Sequence, residues 1–481
     1  MKINRIANLI DMTILAVGKI SQVGVGVAII SVATHMMRPE KLAIVIQVTS
    51  VFALVHGILS YPIITYFLRQ LRRADEDGVL HLAIGQFLRW ICAGALGAGL
   101  VVASLQAAIP FIPDMPPLQL GAAVTLYVVS VSLFLTGSGA LNLFGYRSYF
   151  VACNLIAGIM GLILAPTLFV FSGHEPLQWA VGLSSGQLIA GLAFIFIISR
   201  SCRKDAQAHS TGELILKPRS VLEFTGIQSG AAALWWAQSQ SYRFVLINSE
   251  QQSTAGLISS AQSISTQAIQ AFSGIMTEFF MPRIMGQTTN DHDHIGRVIN
   301  ALFPATIVCT AYVMAVGPIL ATLFLAPSYS ESSRIIRMTA LLDGCWGIYN
   351  ILYIACLSRS NMRSTLIPVA LGGGLALALC PILVSTLGGL EGSLIALSIS
   401  YGAMAGASMI SLLRNGYRPD WKRFSLVFFI AAPFVVGSLF FSPGSGIIKN
   451  IAIFSLWSAY FAIAQLWLAR SWLFTSAPIV E

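Results

Sequence analysis

The sequence has very little charge. Only 10% of its 481 residues are Asp, Glu, Lys or Arg, whereas a soluble domain carries about 25%. Apolar residues make up 56% of the chain, and its mean hydropathy is +0.78. Uncharged runs of about 20 residues, long enough to cross the hydrocarbon core of a bilayer, recur along it. This composition excludes an ordinary soluble domain and predicts an all-α, polytopic membrane protein.

Several kinds of functional sequence are also missing. The seven cysteines are isolated from one another, so no spacing indicates a metal site or a disulfide framework. No phosphate-binding P-loop occurs, which argues against direct drive by ATP. The loops are short, with about ten residues around "IPFIPDMPP" and about twenty in "RSCRKDAQAHSTGELILKPR". We therefore expect no catalytic domain and no enzyme activity, and place the function within the membrane.

The net charge of +9 does not indicate nucleic-acid binding. The basic residues are dispersed in short runs between apolar segments, as expected for the loops of a membrane protein. Lys2 and Arg5 resemble the start of a signal peptide, but Asp11 and Lys19 interrupt the apolar region and no clear cleavage site follows. The first segment is therefore predicted to be an uncleaved helix.

About fourteen spans are predicted, centred near residues 21, 55, 93, 129, 160, 188, 234, 267, 311, 344, 375, 400, 431 and 458. Lys and Arg test this count, because they favour cytoplasmic loops. With the N-terminus inside, 20 of the 28 basic residues fall on the cytoplasmic side and five on the other. If the count were wrong by one helix, the basic residues beyond the error would be assigned to the opposite side and the asymmetry would be lost. Both termini are therefore predicted to be cytoplasmic.

The two halves of the chain repeat one another at an offset of about 214 residues. Arg69 in "ITYFLRQLRRADED" and Arg283 in "MTEFFMPRIMGQTTND" are 214 apart, and so are Arg200 and Arg414, which end the sixth and twelfth spans. The period equals six spans, so the repeats are parallel, an arrangement that transporters use. The chain is accordingly divided into a six-helix lobe at 1–205, a cytoplasmic linker at 206–220, a second six-helix lobe at 221–414 and two additional helices at 415–481.

Four segments carry a resemblance to a known family: "VATHMMRPEKLAIVIQVTSVFALV", "ALNLFGYRSYF", "SYRFVLINSEQQSTAGLISSAQSIS" and "ACLSRSNMRSTLIPVALGG". Together they resemble the Wzx-type flippases of lipid-linked oligosaccharides, in the multidrug/oligosaccharidyl-lipid/polysaccharide export superfamily. The chain departs from the pattern at Tyr242, where related sequences often have an acidic residue before the arginine.

The resemblance implies a V-shaped fold like that of MATE transporters, alternating access, and a bacterial inner-membrane location. It also implies an undecaprenyl-pyrophosphate-linked sugar unit as substrate, for O-antigen, exopolysaccharide or capsule synthesis. A polysaccharide polymerase and a chain-length regulator would then be partners, with the bilayer itself. No cofactor is expected, although coupling to H⁺ or Na⁺ is compatible with this class.

Basic residues within the spans are candidates for binding an anionic substrate, because a charge at mid-helix is costly and usually faces a cavity or a partner. Lys19, with Gln22 on the same face, either lines the cavity or snorkels to the interface. Snorkelling is favoured for Arg89. Arg243 either pairs with Glu250 or lines the outer half of the cavity.

The eighth span has polar residues at steps of three and four, which places them on one helical face. This set suits a sugar-lined cavity, or alternatively hydrogen bonds between helices; it comprises Ser259, Gln262, Thr266, Gln270 and Ser273. Asp11, His56 and Asp343 are candidates for ion coupling. For His56 the alternative is a packing role, and for Asp343 it is neutralisation of an arginine.

Two other functions compete with the flippase. A multidrug/ion antiporter of the same superfamily would favour buried acids, whereas three basic residues lie within the spans here. A membrane-bound polysaccharide polymerase or ligase would need a substantial extracytoplasmic loop, which this sequence lacks.

Overall fold

A computed structural model of the chain describes residues 2–202, 218–286, 292–358, 363–417, 420–440 and 446–473. Most of the predicted linker at 206–220 therefore lies outside the described residues. Within them the structure is helical and contains no strand. The α-helices are α1 Lys2–Met36, α2 Pro39–Val55, α3 Tyr61–Glu76, α4 Leu80–Ala108, α5 Pro117–Leu143, α6 Arg147–Phe171, α7 Pro176–Cys202, α8 Pro218–Asn248, α9 Gln252–Gly286, α10 His292–Phe324, α11 Ser332–Ser358, α12 Arg363–Leu387, α13 Gly389–Arg414, α14 Trp421–Phe440 and α15 Ile447–Leu473.

A π-helical turn, His56–Ser60, joins α2 to α3. The two helices therefore form one long element, and the described chain has fourteen long helical elements in all. Each predicted centre falls within one of them, so the all-α prediction and its helix count are confirmed. Ten described segments are long and apolar enough to span a membrane. Three of the remaining helices, α8, α9 and α11, carry more polar residues along their length.

The π-turn has an identifiable cause. Pro62 has no N–H to donate to the carbonyl oxygen of Ile58, four residues earlier. In a membrane-spanning helix such a carbonyl needs another donor, because lipid supplies none. The hydroxyl of Ser229 on α8 donates to it over 2.5 Å. The π-turn and α8 are therefore joined by this hydrogen bond.

The helix boundaries repeat along the chain as the sequence predicts. Helix α5 begins at Pro117 and α11 at Ser332, 215 residues later, while α6 begins at Arg147 and α12 at Arg363, 216 residues later. The packing repeats too: α6 packs on α7 as α12 packs on α13, and α4 packs on α5 as α10 packs on α11. Helices α14 and α15 both pack on α10.

The chain divides into two compact units. One contains residues 1–40 and 237–481, and the other contains residues 41–236. The division falls inside α8 and separates α1 from α2, so these units differ from the predicted lobes at 1–205 and 221–414. Helix α1 belongs to the unit with α9–α15, and the first part of α8 belongs to the unit with α2–α7. The lobe boundaries stay a prediction from the repeat.

Each unit has its own core. In the 41–236 unit, the rings of Phe67 and Phe87 stack at 4.6 Å between centroids, within the apolar cluster of α3 and α4. In the other unit, Phe434 packs with Val308 between α10, α14 and α15. Small residues bring helices close, as is common in membranes: a Cβ on Gly186 would lie 2.7 Å from the Ala157 carbonyl oxygen.

Candidate functional site

The predicted polar face of α9 exists as one continuous strip, and its exposure changes along the helix. Ser259 is 1% exposed. Gln262, Thr266 and Ser273 are partly exposed, and Gln270 is exposed. The strip is therefore buried at its N-terminal end and accessible toward its C-terminal end.

Arg243 on α8 lies at the buried end of this strip. Its Nε donates to the hydroxyl oxygen of Tyr242 at 3.1 Å, and Nη2 donates to Oε1 of Gln262 at 3.3 Å. Nη1 donates to Oε1 of Gln240. The guanidinium carbon also lies 5.4 Å from the centroid of the Tyr242 ring. Arg243 is thus held by neutral acceptors, while Glu250, its alternative partner, is exposed and makes no salt bridge in the described chain.

Gln262 joins α9 to this cluster through one end of its amide. Its Oε1 accepts from the Tyr242 hydroxyl at 3.0 Å as well as from Arg243. Its NH₂ group has no hydrogen-bond partner among the described residues, and the side chain is partly exposed. The amide therefore presents two free N–H donors beside an arginine, which suits a phosphate or sugar oxygen.

Asp343 on α11 meets the middle of the α9 strip. Its side chain is 5% exposed. Ser265 donates to Oδ2 at 2.5 Å, and Thr266 lies 3.0 Å from both carboxylate oxygens. Thr339, one turn away on α11, lies 3.1 Å from the Ser265 hydroxyl. Within the described chain Asp343 makes no salt bridge, so the structure does not show the predicted neutralisation of an arginine.

Lys19 lies against the accessible end of the strip. A Cβ added to Gly274 of α9 would lie 3.2 Å from Cε and 3.4 Å from Nζ of Lys19, and one added to Gly26 would meet the side chain of Gln267. Helices α1 and α9 are therefore antiparallel neighbours. Gly274 has no side chain, so the Lys19 side chain can lie in the space beside it. This position is one turn beyond Gln270 on α9.

Two other candidates lie on α1. Gln22 is partly exposed, three residues beyond Lys19, and its side chain has no hydrogen-bond partner in the described chain. Asp11 lies on the same helix, but its side chain is outside the described part of the structure.

The strip thus has a cation near each end and a carboxylate between them. Gln262, beside Arg243, and Gly274, beside Lys19, are twelve residues apart, which is about 18 Å along an α-helix. Thr266, which contacts Asp343, lies between them. An extended polar ligand could therefore contact a cation, a run of amides and hydroxyls, and a second cation along one face.

Arg89 and His56 belong to the other compact unit. Arg89 is exposed and lines a groove between α4, α8 and the π-turn. His56 begins the π-turn, its ring 6.3 Å from that of Tyr127 and 6.0 Å from that of Tyr61. Its Nδ1 is buried and has no hydrogen-bond partner among the residues that the structure describes. Their roles in substrate binding and ion coupling stay predictions.

Three residues that complete the site were not among the predicted site residues: Gln240, Ser265 and Thr339. Gln240 accepts from Arg243, Ser265 donates to Asp343, and Thr339 lies beside the Ser265 hydroxyl. Tyr242 was noted only as a departure from the family pattern. Ser265 is three residues from Gln262 and could have been found by extending the polar pattern of α9 toward a second neighbour. Thr339 precedes Asp343 by one helical turn, which is the corresponding signal on α11.

No protein-family model matches the chain, and no curated protein matches it either. Solved structures do match. The lipid II flippase MurJ in an inward closed conformation aligns with a TM-score of 0.65 at 13% identity, over 95% of this chain and 98% of that one. The eukaryotic MATE transporter AtDTX14 aligns with a TM-score of 0.60 at 13% identity, over 90% and 99% of the two chains.

The Vibrio cholerae MATE transporter VcmN, in the bent form, aligns with a TM-score of 0.52 at 14% identity, over 84% of this chain and 98% of that one. At these identities the likeness concerns the fold. It agrees with the fourteen helical elements and the repeated packing described above. This chain is an all-α membrane protein with the fold of MATE transporters and the MurJ flippase.

Proposed function

We propose that the protein is a flippase that moves an undecaprenyl-pyrophosphate-linked oligosaccharide across the bacterial inner membrane by alternating access. The observation that carries this proposal is the α9 strip, with Lys19 near one end, Arg243 near the other, and exposed or partly exposed amides between them. A flippase and transporters are among the proteins that share the fold, which is consistent with the proposal.

Each part of the strip suits one part of such a substrate. Pyrophosphate is anionic and binds lysine or arginine, with arginine offering a planar fork of donors. The N–H groups of Gln262 and the side chain of Gln270 can hydrogen-bond sugar hydroxyls without requiring one particular sugar. The lipid tail would stay in the bilayer throughout.

Asp343 gives this strip a means of coupling to an ion. As an antiporter, the protein would bind H⁺ or Na⁺ at Asp343 on the outer side and release it to the cytoplasm, opposite to the movement of the substrate. An inside-negative potential favours outward movement of anionic charge by about 2.3 kcal/mol per charge per 100 mV, and it also favours this inward movement of a cation.

The proposal is tested in a strain that lacks the gene. We expect lipid extracts to contain accumulated polyprenyl-linked oligosaccharide, together with loss of surface polysaccharide, and we expect the wild-type gene to reverse both. Lys19→Ala should fail to reverse them at wild-type expression. Gly274→Val, which fills the space that the lysine occupies, should weaken complementation without removing a charge.

The control is Gly24→Val on α1, because nothing lies within 4 Å of a Cβ at Gly24. Full complementation by Lys19→Ala would instead mean that the lysine snorkels. If deletion caused no accumulation but sensitised cells to cationic dyes, the multidrug antiporter would replace the flippase. That antiporter is the second candidate because Asp343 is a buried acid without a salt bridge in the described chain.

A further inference from the structure

The 41–236 unit contains a groove of about 660 Å³. Helix α4 contributes Arg89 and Trp90, α8 contributes Leu222 and Gly226, and the π-turn contributes Ile58. Among the described residues that line the groove, Arg89 alone is charged and most of the others are apolar. Leu222 is 64% exposed and Ile58 is 39% exposed, so the groove is open on one side.

The groove lies toward one end of its helices. Arg89 is nine residues from the start of α4, about 14 Å along the axis. The part of α8 that lines the groove lies within its first twelve residues. The distribution of basic residues predicts both of these helix ends to be cytoplasmic. A guanidinium at this depth reaches the headgroup level by snorkelling, while the apolar lining lies at acyl-chain depth.

We propose that this groove binds a membrane phospholipid with one net negative charge, its phosphate on Arg89 and an acyl chain along the apolar wall. A single guanidinium in the lining matches one anionic phosphate. A zwitterionic headgroup would bring an ammonium for which the described lining residues offer no carboxylate. A pyrophosphate would bring more negative charge than one arginine neutralises. Charge complementarity thus favours a phospholipid such as phosphatidylglycerol.

Substitution of two glycines on α8 can test whether the groove binds the lipid, because both positions have room for a side chain. Gly226 lines the groove, and a Cβ there meets nothing within 4 Å. Gly230, one turn later on the same helix, is equally open but does not line it. Leucine at position 226 would therefore fill the groove, whereas leucine at 230 would add a similar apolar side chain outside it.

The experiment is native mass spectrometry of the full chain, incubated in detergent with equal amounts of phosphatidylglycerol, phosphatidylcholine and undecaprenyl phosphate. We expect the wild type to retain phosphatidylglycerol preferentially. Arg89→Gln should lower that preference about five-fold, the factor expected for one basic residue near an anionic surface. Gly226→Leu should abolish it, and Gly230→Leu and Arg219→Gln should leave it unchanged.

Equal retention of phosphatidylglycerol and phosphatidylcholine by the wild type would overturn the proposal. So would an equal loss in the two leucine variants, because the lipid would then not sit in the groove. Arg89-dependent retention of undecaprenyl phosphate in place of phosphatidylglycerol would replace the phospholipid by a polyprenyl lipid. None of these outcomes depends on whether the protein is a flippase, because no transport is measured.

Discussion

Two helix pairs occupy equivalent places in the repeat, and they differ in chemistry. In one unit α1 runs antiparallel to α9, and in the other the first part of α8 runs antiparallel to the element made by α2, the π-turn and α3. Trp236 of α8 donates to the Ser50 carbonyl over 2.6 Å, and a Cβ at Gly57 would lie 3.2 Å from Ala232. The first pair carries Lys19 and the polar strip, whereas the second borders an apolar groove.

The pairs also differ in how their polar groups are satisfied. On α9, Gln262 binds Arg243 and Tyr242, and Thr266 binds Asp343. On α8, both amide atoms of Gln228 are buried without a partner in the described chain. Repeated helices therefore share their packing without sharing their polar contacts. Helix α9 meets charged side chains from three other helices, Lys19 of α1, Arg243 of α8 and Asp343 of α11.

The largest expected effect is that of Asp343→Asn. The amide has the same shape and still accepts a hydrogen bond from Ser265 or Thr266, so the free energy of unfolding should fall by about 1 kcal/mol. Transport should nevertheless stop, because an amide cannot exchange H⁺ or hold Na⁺ by charge. We expect lipid-linked oligosaccharide to accumulate to the level of the deletion strain, measured beside expression and thermal stability.

Thr339→Val is the matched control, since it removes a neighbouring hydroxyl that does not touch the carboxylate. It should cost stability and leave complementation intact. Normal transport by Asp343→Asn would show that the buried acid is structural and would leave the α9 strip without a coupling group.

The next effect compares two arginines on α8. Arg243→Ala should lower the free energy of unfolding by about 1.5–3 kcal/mol, the range for hydrogen bonds to charged groups, and abolish complementation. Arg219 forms an exposed pair with Glu223 at 3.0 Å, so Arg219→Ala should cost only about 0.3–0.5 kcal/mol. Arg243→Lys should restore part of the function but not the forked contact. Equal effects of the two substitutions on complementation would show that Arg243 is not part of the site.

Two glutamines, one on α9 and one on α8, test the difference in hydrogen bonding between the two helix pairs. Gln262→Leu removes the acceptor of Arg243 and Tyr242 and should destabilise the protein by about 1–3 kcal/mol. Gln228→Leu removes an amide that has no partner in the described chain and is 5% exposed, so it should raise stability by about 1–2 kcal/mol. Thermal unfolding in detergent measures both. Destabilisation by Gln228→Leu would mean that a bound water or ligand satisfies this amide.

Much of this fold could be predicted from the sequence because it depends on regular patterns. Runs of apolar residues gave the fourteen helical elements, and the shared 214-residue offset gave the repeat. The strip on α9 followed from steps of three and four, which the helix turns into a face. These patterns are local or periodic, so they can be recognised without knowing which helices contact one another.

The parts that could not be predicted depend on which helices meet. Arg243 had an acid seven residues away in Glu250, but its partners proved to be Gln240, Tyr242 and, on another helix, Gln262. Lys19 was weighed between lining a cavity and snorkelling, and the sequence did not show that its neighbour would be Gly274 of α9. Contacts between helices distant in sequence, such as α1 with α9, decide these outcomes, and no pattern within one helix contains them.

The smallest expected effect concerns the π-turn between α2 and α3, which is a further difference between the two helix pairs. Ser229→Ala removes the donor to the Ile58 carbonyl and should lower the free energy of unfolding by about 1 kcal/mol. Pro62→Ala restores a backbone N–H that can donate to the same carbonyl, so in that background Ser229→Ala should have little effect. Thermal unfolding of the four proteins in a double-mutant cycle gives the coupling between the two positions. Additive effects would show that Pro62 does not cause the π-turn, whereas coupling would mean that Pro62 and Ser229 act on the same carbonyl group.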